Sequence, residues 1–146
     1  MQIFLPYANP IKTAKCLDNK RLNKQIIECI QIISANTGIN IGWKIPKYCI
    51  NHPITKLWKE NIDYLIFYCK ILLVEFEFRK KIMHKSYTQW IILFECLNRI
   101  LYTKFPKHIT SEFCKFHQRK LYNKNPEYYK QFKEGIKWNK TLLKTN

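Results

Sequence analysis

Acidic residues are scarce in this chain. Ten Asp and Glu accompany twenty-six Lys and Arg, leaving a formal net charge of +16 over 146 residues. An excess of that size repels itself in the compact state and points to a polyanionic partner, nucleic acid before an anionic membrane surface. Glycine is almost missing too: the three present are isolated, which excludes a glycine-rich phosphate loop. The six cysteines (Cys16, Cys29, Cys49, Cys69, Cys96 and Cys114) contain no CxxC pair, so a zinc ribbon is excluded and reduced core thiols are the better reading. His52, His84, His108 and His117 lack metal-ligand spacing, and each alone reads as a capping or structural residue. His117 differs in lying beside Arg119 in a basic segment. No GxSxG or nucleophilic-cysteine signature occurs, and neither a metal nor a cofactor is expected. No run reaches the roughly 18 apolar residues of a membrane span. The opening MQIFLPYANP lacks the regions of a signal peptide. The expectation is a soluble intracellular protein (cytoplasm, nucleus or viral factory) that is not secreted. Strand-like alternation is confined to VEFEF at 74–78, which is assigned to a helix end.

What remains is apolar, aromatic and basic. At 47% hydrophobic and 15% aromatic, residues 1–146 suffice for one domain with a sizeable core. Lys outnumbers Arg 22 to 4, and Ile, Asn, Tyr and Phe are plentiful, as an AT-rich genome would produce; codon bias does not explain the shortage of acids. Asn9-Pro10 opens a helix that is expected to run to about Asn36, with Gly38 as its stop. A second starts at His52-Pro53 and keeps helical spacing through Leu57, Leu65, Cys69, Leu72 and Phe76. Ser86 or Thr88 caps a third that carries Trp90, Phe94, Leu97 and Leu101 and closes at Pro106. A basic helix, a turn at 123–125 and a last helix opened by Pro126 follow. The fold expected is therefore all-α: a compact single domain of three main helices plus a basic C-terminal helical segment.

The stretch LDNKRLNKQIIE (17–28) falls in the first of these helices. At 3.6 residues per turn Asp18, Arg21, Gln25 and Glu28 share a stripe flanked by Lys20 and Lys24, next to an apolar stripe of Leu22, Ile26, Cys29, Ile30 and Ile33. Such a stripe is either a wet face with an ion pair such as Lys24 to Glu28, or a working site. Lys44 and Lys47 flank Pro46 in a basic loop. Further on, Lys115, Arg119, Lys120, Lys124, Lys130 and Lys133 interleave with Tyr122, Tyr128 and Tyr129. Cations beside aromatic rings suit phosphates and bases, though tyrosines at this spacing can equally anchor a terminal helix to a core.

MQIFLPY, LDNKRLNKQIIE, GW with NHP, Trp58 and KNPEYYKQF occur in that order. Together they resemble the pyrimidine-dimer DNA glycosylases related to phage endonuclease V, particularly the short bacterial and viral members. The resemblance implies an all-α, metal-free domain that repairs ultraviolet-damaged duplex DNA as a monomer. It implies as nucleophile the backbone amine at the N-terminus, here that of Met1, because the bulky Gln2 disfavours methionine removal. An ungapped match sets Arg21 at or beside the family's catalytic glutamate; Glu28, with Asp18 as the alternative, is then the acid. Lys20, Lys24 and Gln25 join Lys44, Lys47, Lys115, His117, Arg119, Lys120, Lys124, Tyr128, Tyr129 and Lys130 as expected nucleic-acid contacts. The chemistry is reasonable: an α-amine has a reference pKa near ~8 against about 10.4 for lysine, so more of it is a free base at neutral pH. The rival expectation is a non-catalytic DNA-binding or packaging protein with the same fold. RNA binding fits the charge and not the resemblance.

Overall fold

A computed structural model describes residues 1–97 and 105–131. Leu101 and Lys133 lie outside the described residues. Those described are all-α, with no strand. The helices are α1 (Pro10–Cys16), α2 (Asn19–Thr37), α3 (Lys47–Asn51), α4 (Pro53–Leu57), α5 (Ile62–Lys80), α6 (Tyr87–Cys96), α7 (Ser111–Lys124) and α8 (Pro126–Tyr129), with a 3-10 turn at Lys59–Asn61.

The expectation of three main helices is thus corrected to eight among the described residues, and the breaks at Leu17 and Trp58 each have a physical cause. The first expected helix ends at Cys16 because Leu17 turns extended (φ −66°, ψ 136°). The backbone groups freed there are both engaged: Leu17 C=O accepts from the Tyr128 hydroxyl at 3.2 Å, and Asp18 N–H donates to the Tyr129 hydroxyl at 3.2 Å. A helix break is tolerated in a buried place only when its polar groups find such partners. The second expected helix is interrupted at Trp58, whose N–H is shared between the carbonyls of Ile54 and Thr55, both at 3.3 Å. Its indole is buried and stacked on Tyr64 with centroids 5.9 Å apart, and the chain tightens into the 3-10 turn before α5 begins. The loop after Gly42 folds in part into α3.

Other expected starts and stops coincide with helix ends, except that the third expected helix, drawn to Pro106, ends as α6 at Cys96, with no side-chain cap from Ser86 and with Thr88 inside it. Asn9 Oδ1 caps α1 through Lys12 N–H at 3.0 Å, with Pro10 in the first turn. His52 Nδ1 caps α4 through Ile54 N–H at 3.1 Å. Gly38, at φ +72°, follows the last residue of α2, where a left-handed residue favours glycine. VEFEF lies within α5.

The residues form two compact units. The first comprises 1–3 and 19–106, and its core is α2 packed on α5, with α3, α4 and α6 against α2. Leu22, Ile26, Cys29, Ile30 and Ile33 meet Leu65, Ile66, Cys69, Leu72 and Leu73 there, all buried. The second comprises 4–18 and 107–146; among its described residues, Phe4, Leu5, Cys16, Leu17, Ile109, Leu121 and Tyr129 form the core. No helix of the described residues is long and apolar enough to cross a membrane.

Candidate active site

The apolar stripe of α2 faces the core, and that orientation fixes where its polar stripe goes. Gln25 and Glu28 stand one turn apart on α2, and residues 1–3 lie against them. Gln2 N–H donates to Glu28 Oε2 at 3.2 Å. The Gln25 amide donates both to Gln2 C=O at 2.7 Å and to Glu28 Oε2 at 2.9 Å. Both polar groups of the Gln2 backbone are therefore held by two side chains of one helix turn, which fixes the chain end beside a carboxylate.

Glu28 is 6% exposed. Burial raises its carboxyl pKa above the ordinary value, because removing a carboxylate from water disfavours the charged form. The Gln2 N–H, the Lys24 ammonium, the N-terminal charge and the Gln25 amide pull it back only in part. Lys24 Nζ lies 3.8 Å from Glu28 Oε1 but is itself exposed, so this pair contributes little to stability. The arrangement sets one carboxyl, whose pKa burial raises, at a position governed by the N-terminal residue. Such a group can accept or return a proton on something bound to the chain end.

The model of the family described as pyrimidine dimer DNA glycosylase matches residues 1–89. The chain belongs to that family. The match takes in Met1–Ile3, α1 to α5 and the start of α6, so the Gln2–Gln25–Glu28 cluster falls inside it, while α7 and α8 lie beyond it. No curated protein and no solved structure matches the chain.

Within this glycosylase-family chain the expected site residues separate. Met1, Gln25 and Glu28 come together in the first unit. Gln25, expected to touch nucleic acid, is fully buried and occupied by Gln2 and Glu28. Arg21 is half-buried, and Lys20, Lys24, Lys44 and Lys47 are exposed.

Asp18 is not on the α2 stripe, because the helix starts after it. It belongs to the second unit, where it is 5% exposed, and its Oδ2 accepts from the Asn125 amide at 3.4 Å. In the same unit Tyr129 is buried, Tyr128 and Tyr122 are half-buried, and Lys130 is ion-paired with Glu127. Lys115, Arg119 and Lys124 are exposed, and Lys120 lies 4.5 Å over the Phe116 ring.

His117 points inward at 3% exposure and accepts from Leu5 N–H at 2.9 Å. Burial first, then Lys120 and His108, lowers its pKa to about 4, so at neutral pH it carries no charge to offer a phosphate. Among the described residues no three or more His, Cys, Asp or Glu gather as metal ligands would. Gln2 was the contributor that sequence reasoning overlooked. It acts through its backbone, which no residue pattern reports.

Proposed function

We propose that the chain is a DNA glycosylase with associated AP-lyase activity on cyclobutane pyrimidine dimers in duplex DNA. The Met1 amine is the nucleophile and Glu28 is the acid. The observation that carries this reading is the double hold of Gln25 and Glu28 on the Gln2 backbone, which sets the amine beside a buried carboxyl. Family membership supports the repair chemistry, and the net charge of +16 supports a polyanionic substrate.

The amine nitrogen bonds to the sugar C1′ as the C1′–base bond breaks, and the base leaves with the bonding pair. Loss of the amine proton and opening of the sugar ring give an imine. Removal of a C2′ proton then expels the 3′ phosphate and nicks the strand. Glu28 stabilises the cationic sugar and relays protons, while the exposed Lys20 and Lys24 and the half-buried Arg21 hold flanking phosphates.

Borohydride reduces such an imine to a stable amine, so irradiated duplex DNA should become covalently attached to the protein. Adding one residue before Met1 should abolish trapping while leaving duplex affinity almost unchanged. Equal trapping by the extended protein would move the nucleophile to a lysine. No trapping by either would leave the non-catalytic DNA-binding reading.

A further inference from the structure

The turn between α5 and α6 holds two neighbouring aliphatic side chains in water: Ile82 is 64% exposed and Met83 is 59% exposed. Single exposed apolar residues are ordinary, but an adjacent pair at the tip of a turn suggests a surface that meets something. The turn is held, so it cannot simply fold them away. α5 stops at Lys81, which takes the left-handed conformation (φ 57°) and donates its N–H to Glu77 C=O at 2.8 Å. His84, the next residue after Met83, is 3% exposed. Its Nδ1 accepts from Ser86 N–H at 3.0 Å, which leaves Nε2 to donate to Asn23 Oδ1 at 2.9 Å. Its ring meets Phe76 edge-on with centroids 4.7 Å apart. His84 is thus locked inside while Met83 and Lys85 on either side of it stand exposed.

The lock also decides what the tip stands beside. Asn23 belongs to α2, and Arg79 near the end of α5 reaches Asn19 Oδ1, one turn earlier on that helix, at 3.3 Å. Asn19 and Asn23 form one row of α2. Lys20, Lys24 and Glu28 form the next row, about 100° round the axis. The tip is therefore tied to α2 one row away from the carboxyl and cations that the glycosylase reading sets on the damaged nucleotide and its phosphates. Cations surround it as well. Lys80, Lys81 and Lys85 are exposed, no acidic residue lies from 80 to 85, and Lys81 Nζ stands 4.6 Å over the Phe78 ring.

A fitting partner accepts positive charge and a short apolar projection at the same place. A second copy of this chain would set Lys80, Lys81 and Lys85 against their own like. An anionic lipid surface accepts both features but gives no reason for the tip to be tied to α2. A DNA duplex offers phosphates on either side and, between two base pairs, an apolar gap that Ile and Met side chains can enter. We propose that Ile82 and Met83 are a wedge that enters the base stack beside the lesion, with Lys80, Lys81 and Lys85 on the flanking phosphates. The proposal rests on the glycosylase reading and adds two positioning residues to it. They touch bases and not the reacting atoms, and they open the step at which Glu28 and the Met1 amine work.

The test uses a duplex with one thymine dimer and 2-aminopurine as the neighbouring base, whose fluorescence rises when it unstacks. Binding of the full chain should raise the emission several-fold. Ile82→Ser with Met83→Ser should remove the rise, while the salt dependence of binding stays the same because no cation is lost. Both side chains are exposed, so the melting temperature should not move. Ile82→Leu with Met83→Leu should restore the rise. Base excision by the serine variant should fall at least about tenfold, in kcat more than in KM. No rise when the native chain binds, or an equal rise with the serine variant, overturns the proposal. So does a serine variant that loses binding to phosphatidylserine vesicles and keeps the rise, which would give the tip to a lipid surface. The dye reports unstacking and not bond breaking. Unstacking without excision would keep the wedge and sink the glycosylase reading, and excision without unstacking would do the reverse.

Discussion

Acid should weaken this protein through one imidazole in particular. His117 Nδ1 accepts from Leu5 N–H, and its ring packs among Phe4, Phe113 and Phe116 at centroid distances of 5.8, 4.2 and 5.7 Å. The cation is disfavoured there, and the pKa falls from 6.5 to about 4. The unfolded chain takes up a proton near 6.5 that the folded chain refuses until about 4. The contribution of His117 is therefore fully present above 6.5 and is lost as pH falls toward 4, at about 1.4 kcal/mol per pH unit. The whole window amounts to roughly 3 kcal/mol, a large part of the 5–15 kcal/mol that holds an ordinary domain together. Carboxylates titrate in the same range, so the comparison must be differential. His117→Asn keeps an acceptor for Leu5 N–H and removes the titration. Urea unfolding of both proteins at several pH values between 7 and 4, at constant ionic strength, should show the native protein losing roughly 3 kcal/mol relative to the variant. Parallel stability curves across that range would refute the reasoning.

Glu28→Gln keeps an oxygen acceptor for Gln2 N–H while removing the charge, so base excision on irradiated duplex should fall by several orders of magnitude with melting temperature preserved. A fall below about tenfold, roughly 1.4 kcal/mol of barrier, would reduce Glu28 to an ion-pair partner of Lys24. Lys120→Ala with Lys124→Ala should flatten the plot of log affinity against log salt by about two units for every duplex sequence, and an unchanged slope would retire α7 as a phosphate-binding surface. Tyr129→Phe leaves Asp18 N–H buried without its acceptor, and a loss of about 1–3 kcal/mol in chemical denaturation is expected; a neutral result would mean that the break after α1 needs no such partner.

Much of the helical skeleton was legible because its signals are local. Asn9-Pro10, His52-Pro53, Gly38 and Pro126 act on the neighbouring turn, and the structure uses each where the sequence places it. The interruptions at Leu17 and Trp58 were not legible. The first depends on Tyr128 and Tyr129, more than a hundred residues away, and the second on the stacking of a buried indole. The stripe from Asp18 to Glu28 was read on an unbroken helix, and moving the helix start to Asn19 takes Asp18 off it while leaving Gln25 and Glu28 in place. The Gln2 backbone was invisible for another reason: a main-chain N–H and C=O look alike under every residue type.

The second unit is assembled from both ends of the chain, with 4–18 meeting residues from 107 onward. The hydrogen bonds Leu5–His117 and Asp18–Tyr129 span 112 and 111 positions, so the first cannot form during synthesis until α7 has left the ribosome, nor the second until α8 has. The described helices of the first unit are made earlier, since α2 to α6 end at Cys96. At about 5–20 residues per second, Phe4, Leu5 and Leu17 wait on the order of 5–20 s with their apolar side chains unclaimed. Pairings this distant also close slowly. During that interval the nascent chain offers a short hydrophobic segment, the kind of surface that chaperones hold and proteases cut. A chain that stops before α7 would keep that segment exposed for good, so premature termination should yield a product that is cleared and not one that lingers half-active.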